Sequence, residues 1–403
     1  MVRILIVGGG RVGAPLAAWL ANKDEVETVS VMDTNEDILE HFRNADFPWE
    51  EPALNGAISS TRKLFAVSDM PDNPEVFDMA FICVGSPVNN GVPEVGHIMQ
   101  IGKKLIGTQV ILRSTVPPGT SDDLARLTGQ PVIHAPERLL LGYGMKELGE
   151  LPQIVGCTQS ENLFPKFMTT LGFLEDAFPS IIMGTAVEAE LAKICNNTVR
   201  YIEFAVGTEL SQLMTFTGAD PHTVRQMMTQ GYGRGRLAFP SFVGSYCLDK
   251  DWQMLAHRGL HSQFAAAAFD YNQNLFKNIL GENIHKYDKI GILGLTYKPG
   301  LDDTRNSLTW KLLEWLKEQG KHGTLIHDPL VNLTTEQELK YGACSVSSSK
   351  HVLEDCELLF VMTAHDEYRD VIPHADTVII DPAAIIQKRE VDKNGWDFIR
   401  GEQ

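Results

Sequence analysis

The clearest chemical signal in the sequence is a glycine pattern that follows its first apolar run. The pattern reads G-x-G-x-x-G, and its residues are Gly8, Gly10, Arg11, Val12 and Gly13. Glycines at this spacing let the backbone turn tightly and approach a pyrophosphate at the start of a helix. Asp33 follows 20 residues after Gly13, where a carboxylate accepts hydrogen bonds from ribose hydroxyls and repels a 2′-phosphate. The pattern therefore predicts a dinucleotide site that takes NAD rather than NADP.

Two polar turns follow later apolar runs. Thr115 opens T-V-P-P-G-T, and Glu137 and Arg138 end A-P-E-R. Ligands bind at the carboxyl ends of strands in parallel sheets, so both turns are expected to face a crevice. Thr115 is suited to hold a water or a substrate hydroxyl, unless the turn is only a proline-stiffened one. Glu137 is suited to orient a water, and its alternative is a surface ion pair with Arg138.

A third group of reactive side chains occupies the middle of the chain. Lys193 and Asn197 lie four residues apart in a helical pattern, so they share one face and can hold a developing alkoxide. The alternative is an ordinary solvated helix face. Cys247 follows a turn and precedes Lys250 and Asp251. A nearby ammonium lowers the pKa of a thiol, which favours a nucleophilic cysteine over a structural one only when other observations agree.

The elements that must position these residues indicate an α/β protein. In the first third, apolar runs typical of buried strands alternate with stretches of helical length, which is the pattern of a parallel, doubly wound sheet. The predicted strands are residues 3–7, 28–32, 79–84, 110–114 and 132–135. The sequence therefore predicts an N-terminal Rossmann-type domain, which we place at residues 1–182.

The middle of the chain has helical periodicity, and the end returns to alternation. Helices are predicted over residues 185–217 and over 251–280, the second interrupted near Gly259. The predicted C-terminal strands are residues 290–295, 324–326, 358–362 and 378–380, with a helix near 308–318. We therefore expect an all-helical middle domain at 183–282 and a second, Rossmann-like α/β domain at 283–403.

Composition narrows the classes of partner. The 403-residue chain has a formal net charge of -17, which disfavours nucleic acid and acidic membranes as partners. No apolar run approaches the roughly 18 residues that a membrane span needs. The six cysteines form no C-x-x-C pair, so no metal site is expected. These features predict a reduced, cytoplasmic, soluble protein, in which any anionic substrate must meet a local cluster of cations.

Taken in order, the motifs resemble the UDP-glucose/GDP-mannose dehydrogenase family from Ile4 to about Asp381. They are G-G-G-R-V-G, S-T-V-P-P-G-T, A-P-E-R, Lys193 with Asn197, P-S-F-V-G-S-Y-C-L-D-K-D and G-L-T-Y-K-P-G-L-D-D-T-R. The resemblance implies that the first domain binds NAD, that the last binds the nucleotide of a UDP-sugar, and that the helical middle forms a homodimer. It also implies two successive oxidations at C6 of the sugar.

The resemblance assigns roles to individual residues. Cys247 matches the nucleophile that captures an aldehyde as a thiohemiacetal and then carries a thioester. Lys193 and Asn197 match residues that stabilise oxyanions, and Asp251 matches a carboxylate that activates water beside Thr115 and Glu137. Lys298 and Arg305 lie in the motif that contacts nucleotide sugar and cofactor phosphate in the family, and Lys250 matches the basic residue beside the cysteine. Arg138 and Arg236 are further candidates for binding the substrate.

The motifs disagree about the sugar. P-S-F-V-G-S-Y-C-L-D-K-D at residues 240–251, the cysteine segment, resembles the UDP-glucose branch. The first expectation is therefore the oxidation of UDP-glucose to UDP-glucuronate. A-P-E-R-L-L-L-G resembles branches that oxidise UDP-N-acetylhexosamines, and GDP-mannose is a further alternative. The sequence also departs from the family pattern, for example at Arg11, Ser245 and Asp249.

Two other classes of protein compete with this interpretation. A β-hydroxyacid dehydrogenase pairs a dinucleotide domain with a helical Lys and Asn but oxidises once, without a cysteine. A non-catalytic NAD- or nucleotide-sugar-binding regulator keeps the glycines and loses the nucleophile. Cys247, Lys193, Asn197 and Asp251 together favour an enzyme with two oxidation steps.

Overall fold

A computed structural model describes residues 1–49, 51–158, 165–242, 244, 247–256, 258–374 and 376–386. The chain divides into two compact units. The first unit contains Met1–Asn197 and Lys250–His261, and the second contains Thr198–Asp249 and Ser262–Gln403.

The first unit begins with alternating strands and helices. Its strands are β1 (Val2–Val7), β2 (Val26–Met32), β3 (Leu64–Val67), β4 (Met79–Ile82), β5 (Val88–Asn89), β6 (Val92–Pro93), β7 (Gln109–Leu112), β8 (Val132–His134), β9 (Gln153–Cys157) and β10 (Ile181–Thr185). Its helices are α1 (Gly13–Ala21), α2 (Glu36–Asn44), α3 (Leu54–Ser59), α4 (Gly96–Lys104), α5 (Thr120–Thr128), α6 (Gly144–Glu150) and α7 (Pro165–Ala177).

Eight of these strands form one sheet in the order β10-β9-β8-β7-β4-β1-β2-β3. Its neighbouring strands run parallel except for β8 and β9, which are antiparallel. The strands of a parallel sheet are covered on both faces, which explains why Ile4, Leu5 and Ile6 are all fully buried. Because the strand order reverses at β1, a crevice forms outside the carboxyl ends of β1 and β4. The predicted Rossmann-type fold is confirmed.

The helices of the middle are α8 (Ala186–Phe216), α9 (Pro221–Thr229), α10 (Leu248–Asp251), α11 (Gln253–Ala256), α12 (Gln263–Gln273) and α13 (Leu275–Leu280). The long helix predicted over 185–217 is confirmed by α8. The predicted interruption near Gly259 is also confirmed, because this glycine has a φ of 74° and Ser262 caps the start of α12. The stretch is more broken than predicted, since Trp252 and Asn274 also separate helices.

The second unit ends in a parallel five-stranded sheet ordered β13-β12-β11-β14-β15. Its strands are β11 (Ile290–Leu293), β12 (Thr324–His327), β13 (Ala343–Ser345), β14 (Leu358–Val361) and β15 (Val378–Ile380), and its helices are α14 (Leu308–Glu318), α15 (Thr335–Tyr341) and α16 (Ser349–Asp355). Leu312 and Leu316 of α14 pack on one face, and Val352 and Tyr368 pack on the other. The predicted C-terminal Rossmann-like fold is therefore confirmed.

Sequence periodicity missed some strands. β3, β9, β10 and β13 have three to five residues each and little apolar alternation.

The domain boundaries at 182 and 282 remain a prediction. None of the helices in the described part of the chain combines the length and apolar character that a bilayer crossing requires.

Candidate active site

The glycine turn joins β1 to α1 in the geometry that the spacing predicts. Gly8 has a φ of 100°, and a Cβ on Gly13 would overlap the carbonyl oxygen of Gly8. Apart from Gly10 and its two chain neighbours, no described residue has an atom within 4 Å of the point where a Cβ on Gly10 would stand. No side chain caps α1 at Val12, and its first turn carries no acidic residue. The turn therefore offers open space and helix amide groups to an anionic phosphate.

Asp33 lies beside this turn because it directly follows β2. Its Oδ2 accepts a hydrogen bond from the amide of Gly9 at 2.7 Å, and its Oδ1 accepts one from the amide of Asn35 at 2.9 Å. These bonds aim a carboxylate at the edge of the glycine turn. The residues present therefore fit the ribose and pyrophosphate of a dinucleotide. Arg11 of the same turn lies over the ring of Trp49, with 5.1 Å between guanidinium and ring centroid.

The turn that contains Thr115 is held from two sides. The carbonyl oxygen of Thr115 accepts a hydrogen bond from Ser86 Oγ at 2.5 Å, and Ser114 Oγ donates to the carbonyl of Val84 at 2.6 Å. On the other side, the buried Glu190 of α8 accepts hydrogen bonds from the amides of Gly119 and Ser121 at 2.5 and 2.8 Å. These contacts place Thr115 at the carboxyl end of the sheet and link it to the helix that carries Lys193.

Glu137 and Lys193 form a buried ion pair rather than facing solvent. Lys193 Nζ donates to Glu137 Oε1 at 3.1 Å, and the amide of Leu139 donates to Glu137 Oε2 at 2.8 Å. The surface pair between Glu137 and Arg138 that the sequence left open is not formed. Arg138 instead donates to the carbonyl of Pro152 at 2.5 Å.

A second buried cation acts on Glu137. Arg113 is 2% exposed and donates to the carbonyl of Ala135 and to Gln153 Oε1, both at 3.1 Å. Burial raises the pKa of Glu137, but the charges of Lys193 and Arg113 and the hydrogen bonds outweigh it, so the pKa lies below its ordinary value. Glu137 is therefore held as a carboxylate. Sequence reasoning missed Arg113, since nothing distinguishes it from any polar residue at a strand end.

Asn197 joins a second buried cluster one helical turn after Lys193. Asn197 Nδ2 donates to Asp251 Oδ2 at 2.6 Å, and Lys250 Nζ donates to Asp251 Oδ1 at 2.6 Å. Asp251 is completely buried, and the other two residues are nearly so. The fold therefore brings the amide of Asn197 to the carboxylate and ammonium of Asp251 and Lys250, which lie more than 50 residues later in the chain.

The remaining predicted residues lie in the second unit. Cys247 is half-buried in the turn before α10, and Arg236 is exposed in the segment after α9. The C-terminal motif is G-L-T-Y-K-P-G-L-D-D-T-R at residues 294–305. In it, Lys298 is half-buried and Arg305 forms an ion pair with Asp303, with 2.6 Å between Arg305 Nη2 and Asp303 Oδ2.

The C-terminal sheet repeats the arrangement of the glycine turn. Gly294 has a φ of 103°, and its amide donates to the carbonyl of His327 at 2.8 Å, as the amide of Gly8 donates to Met32. Asp328 follows β12 as Asp33 follows β2, and it accepts hydrogen bonds from the amides of Leu295 and Thr296. The sequence signal for Asp328 is an acid directly after an apolar strand, the same signal that Asp33 gives after β2.

Together, the fold and the glycine turn with Asp33 define a protein that binds NAD through its first domain. The chain belongs to the UDP-glucose/GDP-mannose dehydrogenase family, because that family's NAD binding, central and UDP binding domains match residues 2–171, 187–274 and 291–391. Members of this family are NAD-dependent oxidoreductases that act on nucleotide sugars.

Individual relatives are distant but cover nearly the whole chain. The UDP-N-acetyl-D-mannosamine dehydrogenase of Methanococcus maripaludis is 27% identical over 92% of this chain and 87% of its own. The structure of the UDP-D-ManNAc dehydrogenase of Pyrococcus horikoshii superimposes with a TM-score of 0.79 at 26% identity, covering 92% of this chain and 91% of its own. A UDP-glucose dehydrogenase from Pyrobaculum islandicum has the same fold, with a TM-score of 0.80 at 22% identity and 94% of both chains covered.

Proposed function

We propose that this protein oxidises the C6 hydroxyl of a UDP-N-acetylhexosamine to a carboxylate, with two NAD consumed per sugar. The observation that carries the chemistry is the pair of buried clusters on one face of α8, Lys193 with Glu137 and Asn197 with Asp251. The relatives named for UDP-N-acetyl-D-mannosamine support this sugar class better than UDP-glucose, which was the first expectation. UDP-glucose remains the second candidate, because the cysteine segment resembles that branch.

Each of the three predicted domains has its own proposed role. Residues 1–182 bind NAD, 183–282 form the helical middle, and 283–403 hold the nucleotide of the sugar. In the first, Asp33 contacts the ribose and the turn from Gly8 to Gly13 contacts the pyrophosphate. In the last, Lys298 and Arg305 contact phosphates, with Arg236, Lys250 and Arg138 as further cations for the substrate.

In the first oxidation, the chain must stabilise an alkoxide and accept a proton. NAD, when bound, supplies the acceptor for the hydride that leaves C6. Lys193 and Asn197 are both buried, and each offers a donor to the oxygen on C6 as negative charge develops there. Asp251 and Glu137 are carboxylates within hydrogen-bond reach of those two donors, so either accepts the released proton directly or through a water held by Thr115.

In the second oxidation, Cys247 acts as the nucleophile. Its thiolate adds to the aldehyde carbon, and the oxygen becomes the oxyanion of a thiohemiacetal. A second hydride leaves C6 for the acceptor that a second NAD would supply, and the carbonyl re-forms as a thioester. A water, deprotonated by Glu137 or Asp251, adds to the thioester, the C–S bond breaks, and the products are a carboxylate and the Cys247 thiolate.

We further propose that α8 forms a homodimer interface. Val199, Val206 and Leu213 recur every seven residues and are 52%, 41% and 54% exposed, with Phe216 at 67%. Exposed apolar residues that recur every seven positions are typical of a helix that packs against another helix. Light scattering should give twice the chain mass, and Val206→Asp with Leu213→Asp should give the monomer. A monomeric wild type would contradict this proposal.

The substrate is tested with a panel of nucleotide sugars. UDP-N-acetylmannosamine, UDP-N-acetylglucosamine, UDP-glucose and GDP-mannose are each supplied with excess NAD, and NADH and carboxylate are measured together. We expect the highest kcat/KM with a UDP-N-acetylhexosamine. If UDP-glucose gives the highest value, the second candidate replaces the first. If no sugar yields NADH, the enzymatic proposal fails.

A further inference from the structure

Two residues after Cys247, a carboxylate is buried in the second unit. Asp249 is 7% exposed, and its Oδ2 accepts a hydrogen bond from Lys311 Nζ at 3.3 Å. Lys311 belongs to the first turn of α14, the helix that directly follows the C-terminal motif. None of the roles proposed above uses this pair.

The surroundings of Asp249 make the pair costly to break. Burial raises the pKa of Asp249, and the charge of Lys311 is the largest influence that opposes this rise. Tyr201 of α8 is fully buried beside the same carboxylate, and Asn272 of α12 lies next to Tyr201. The carboxylate therefore lies buried against residues of α8 and α14, and the charge of Lys311 favours its ionised form.

A backbone contact anchors the same segment three residues before Cys247. A Cβ on Gly244 would overlap the carbonyl oxygen of Asn306 and would crowd the amide of Leu308. Only glycine allows this approach. Gly244 and Asp249 thus hold the cysteine segment on both sides of Cys247, and both do so against the start of α14.

The start of α14 is itself fixed to the C-terminal motif. Thr309 Oγ1 donates to the carbonyl of Gly294 at 3.0 Å, and Trp310 Nε1 donates to the carbonyl of Thr304 at 2.7 Å. Two backbone carbonyls of the motif therefore accept hydrogen bonds from side chains of the helix that carries Lys311. This motif lies within the match to the family's UDP binding domain.

We infer that Asp249 and Lys311 form a positioning pair that aligns Cys247 from the domain that holds the nucleotide. The inference rests on the proposed function, because it assigns the pair a part in the second oxidation. Without the pair, the cysteine segment loses one of the two described contacts that fix it to the start of α14, and the thiolate is displaced from the aldehyde. The aldehyde then escapes before the thiohemiacetal forms.

The test compares Asp249→Asn and Lys311→Met with the wild type. Lys311→Met keeps the aliphatic stem of a side chain that is already 23% exposed, so it tests the pair even if Asp249→Asn does not fold. Lys317→Met is the matched control, because Lys317 lies in the last turn of the same helix and bonds the carbonyl of Lys340. Lys311→Arg is the conservative variant.

Three quantities are measured: NADH from a single turnover, carboxylate formed at steady state, and aldehyde trapped by semicarbazide. We expect carboxylate formation to fall about 10- to 100-fold in both variants, the range that a displacement of about 1 Å produces. Trapped aldehyde should rise, the first oxidation and the KM for the sugar should change less than about threefold, and Lys311→Arg should recover most of the carboxylate.

Two results would overturn the inference. One is an unchanged ratio of carboxylate to aldehyde in Lys311→Met. The other is an equal loss of both oxidations that Lys317→Met reproduces, because this would show only a general effect on folding. If the wild type makes no NADH, the proposed function fails, and alkylation of Cys247 by iodoacetamide decides the inference separately. The alkylation rate should then differ between wild type and Lys311→Met, and an equal rate would refute the pair's role.

Discussion

The buried pair of Lys193 and Glu137 allows a prediction with a definite magnitude. Lys193→Met removes an ammonium that lies 3.1 Å from Glu137 Oε1 and keeps the length of the side chain. At an effective dielectric constant of about 20, two unit charges at that distance attract by about 5 kcal/mol before desolvation is subtracted. Breaking a buried pair by removing one partner typically costs about 3–5 kcal/mol. Because Arg113 still acts on Glu137, we expect the lower value, about 3 kcal/mol.

The pH dependence of the variant follows from the same residues. In the wild type, the pKa of Glu137 is lowered, so its contribution to stability is present above the pKa of the unfolded chain and is lost as the pH falls through the folded pKa. In Lys193→Met the largest charge that opposes burial is gone, so we expect burial to raise that pKa even with Arg113 present. The variant should therefore recover stability relative to wild type as the pH is lowered from 7 to 5, since protonation neutralises the buried carboxylate.

A double-mutant cycle with Glu137→Gln separates the pair from its surroundings. Hydrogen exchange of the β7 and β8 amides reports the stability of the first unit, and the coupling energy should be at least about 1.5 kcal/mol. Lys146→Met, which changes an exposed lysine of α6, should stay within about 0.5 kcal/mol of wild type. The kcat of Lys193→Met should fall on the order of 10²–10³-fold. A coupling energy near zero, or wild-type turnover, would refute this account of the pair.

Three further predictions follow from single residues. Asp33→Ala should narrow the preference for NAD over NADP by at least about 10-fold in kcat/KM, and equal wild-type rates with both cofactors would contradict its assignment. Cys247→Ser should lower carboxylate formation by several orders of magnitude and leave NAD affinity near wild type; a normal rate would show that the cysteine is structural. Burial, followed by the charge of Arg113, lowers the pKa of His134 to about 3, below the 6.5 of the unfolded chain. Below pH 6.5, the free energy of unfolding of the wild type should therefore fall by up to about 1.4 kcal/mol per pH unit more than that of His134→Leu. Urea denaturation at pH 7, 6 and 5 measures both proteins, and an equal fall in the two would contradict this role of His134.

Local patterns predicted the parts of the site that depend on local structure. The glycine spacing with Asp33 reflects one strand-helix-strand unit, from β1 through α1 to β2. Four-residue spacing places Lys193 and Asn197 on one face of α8. What these residues bind depends on tertiary structure. Asp251 meets Asn197 across 54 residues, and Glu137 meets Lys193 across 56, so no local pattern distinguishes these pairs from solvated charges.

The same limit explains what sequence reasoning missed in the fold. β9 has five residues, includes a glycine and a cysteine, and joins the sheet antiparallel to β8. Neither an alternation of apolar and polar residues nor a βαβ pattern therefore predicts this strand. Asp249 looks like any acid in a charged segment, and only folding brings Lys311 to it. The second cysteine-anchoring contact, at Gly244, depends on a backbone approach that no side-chain pattern encodes.

The most direct test of the two-step oxidation at Cys247 counts hydrides and captures the intermediate together. Wild-type enzyme is mixed with the best nucleotide sugar of the panel and excess NAD, and NADH, carboxylate and the mass of the acid-quenched chain are measured. We expect two NADH per carboxylate and a transient sugar adduct on Cys247 that is absent from Cys247→Ala. One NADH per sugar with an aldehyde as final product, or a full yield of carboxylate from Cys247→Ala, would contradict it.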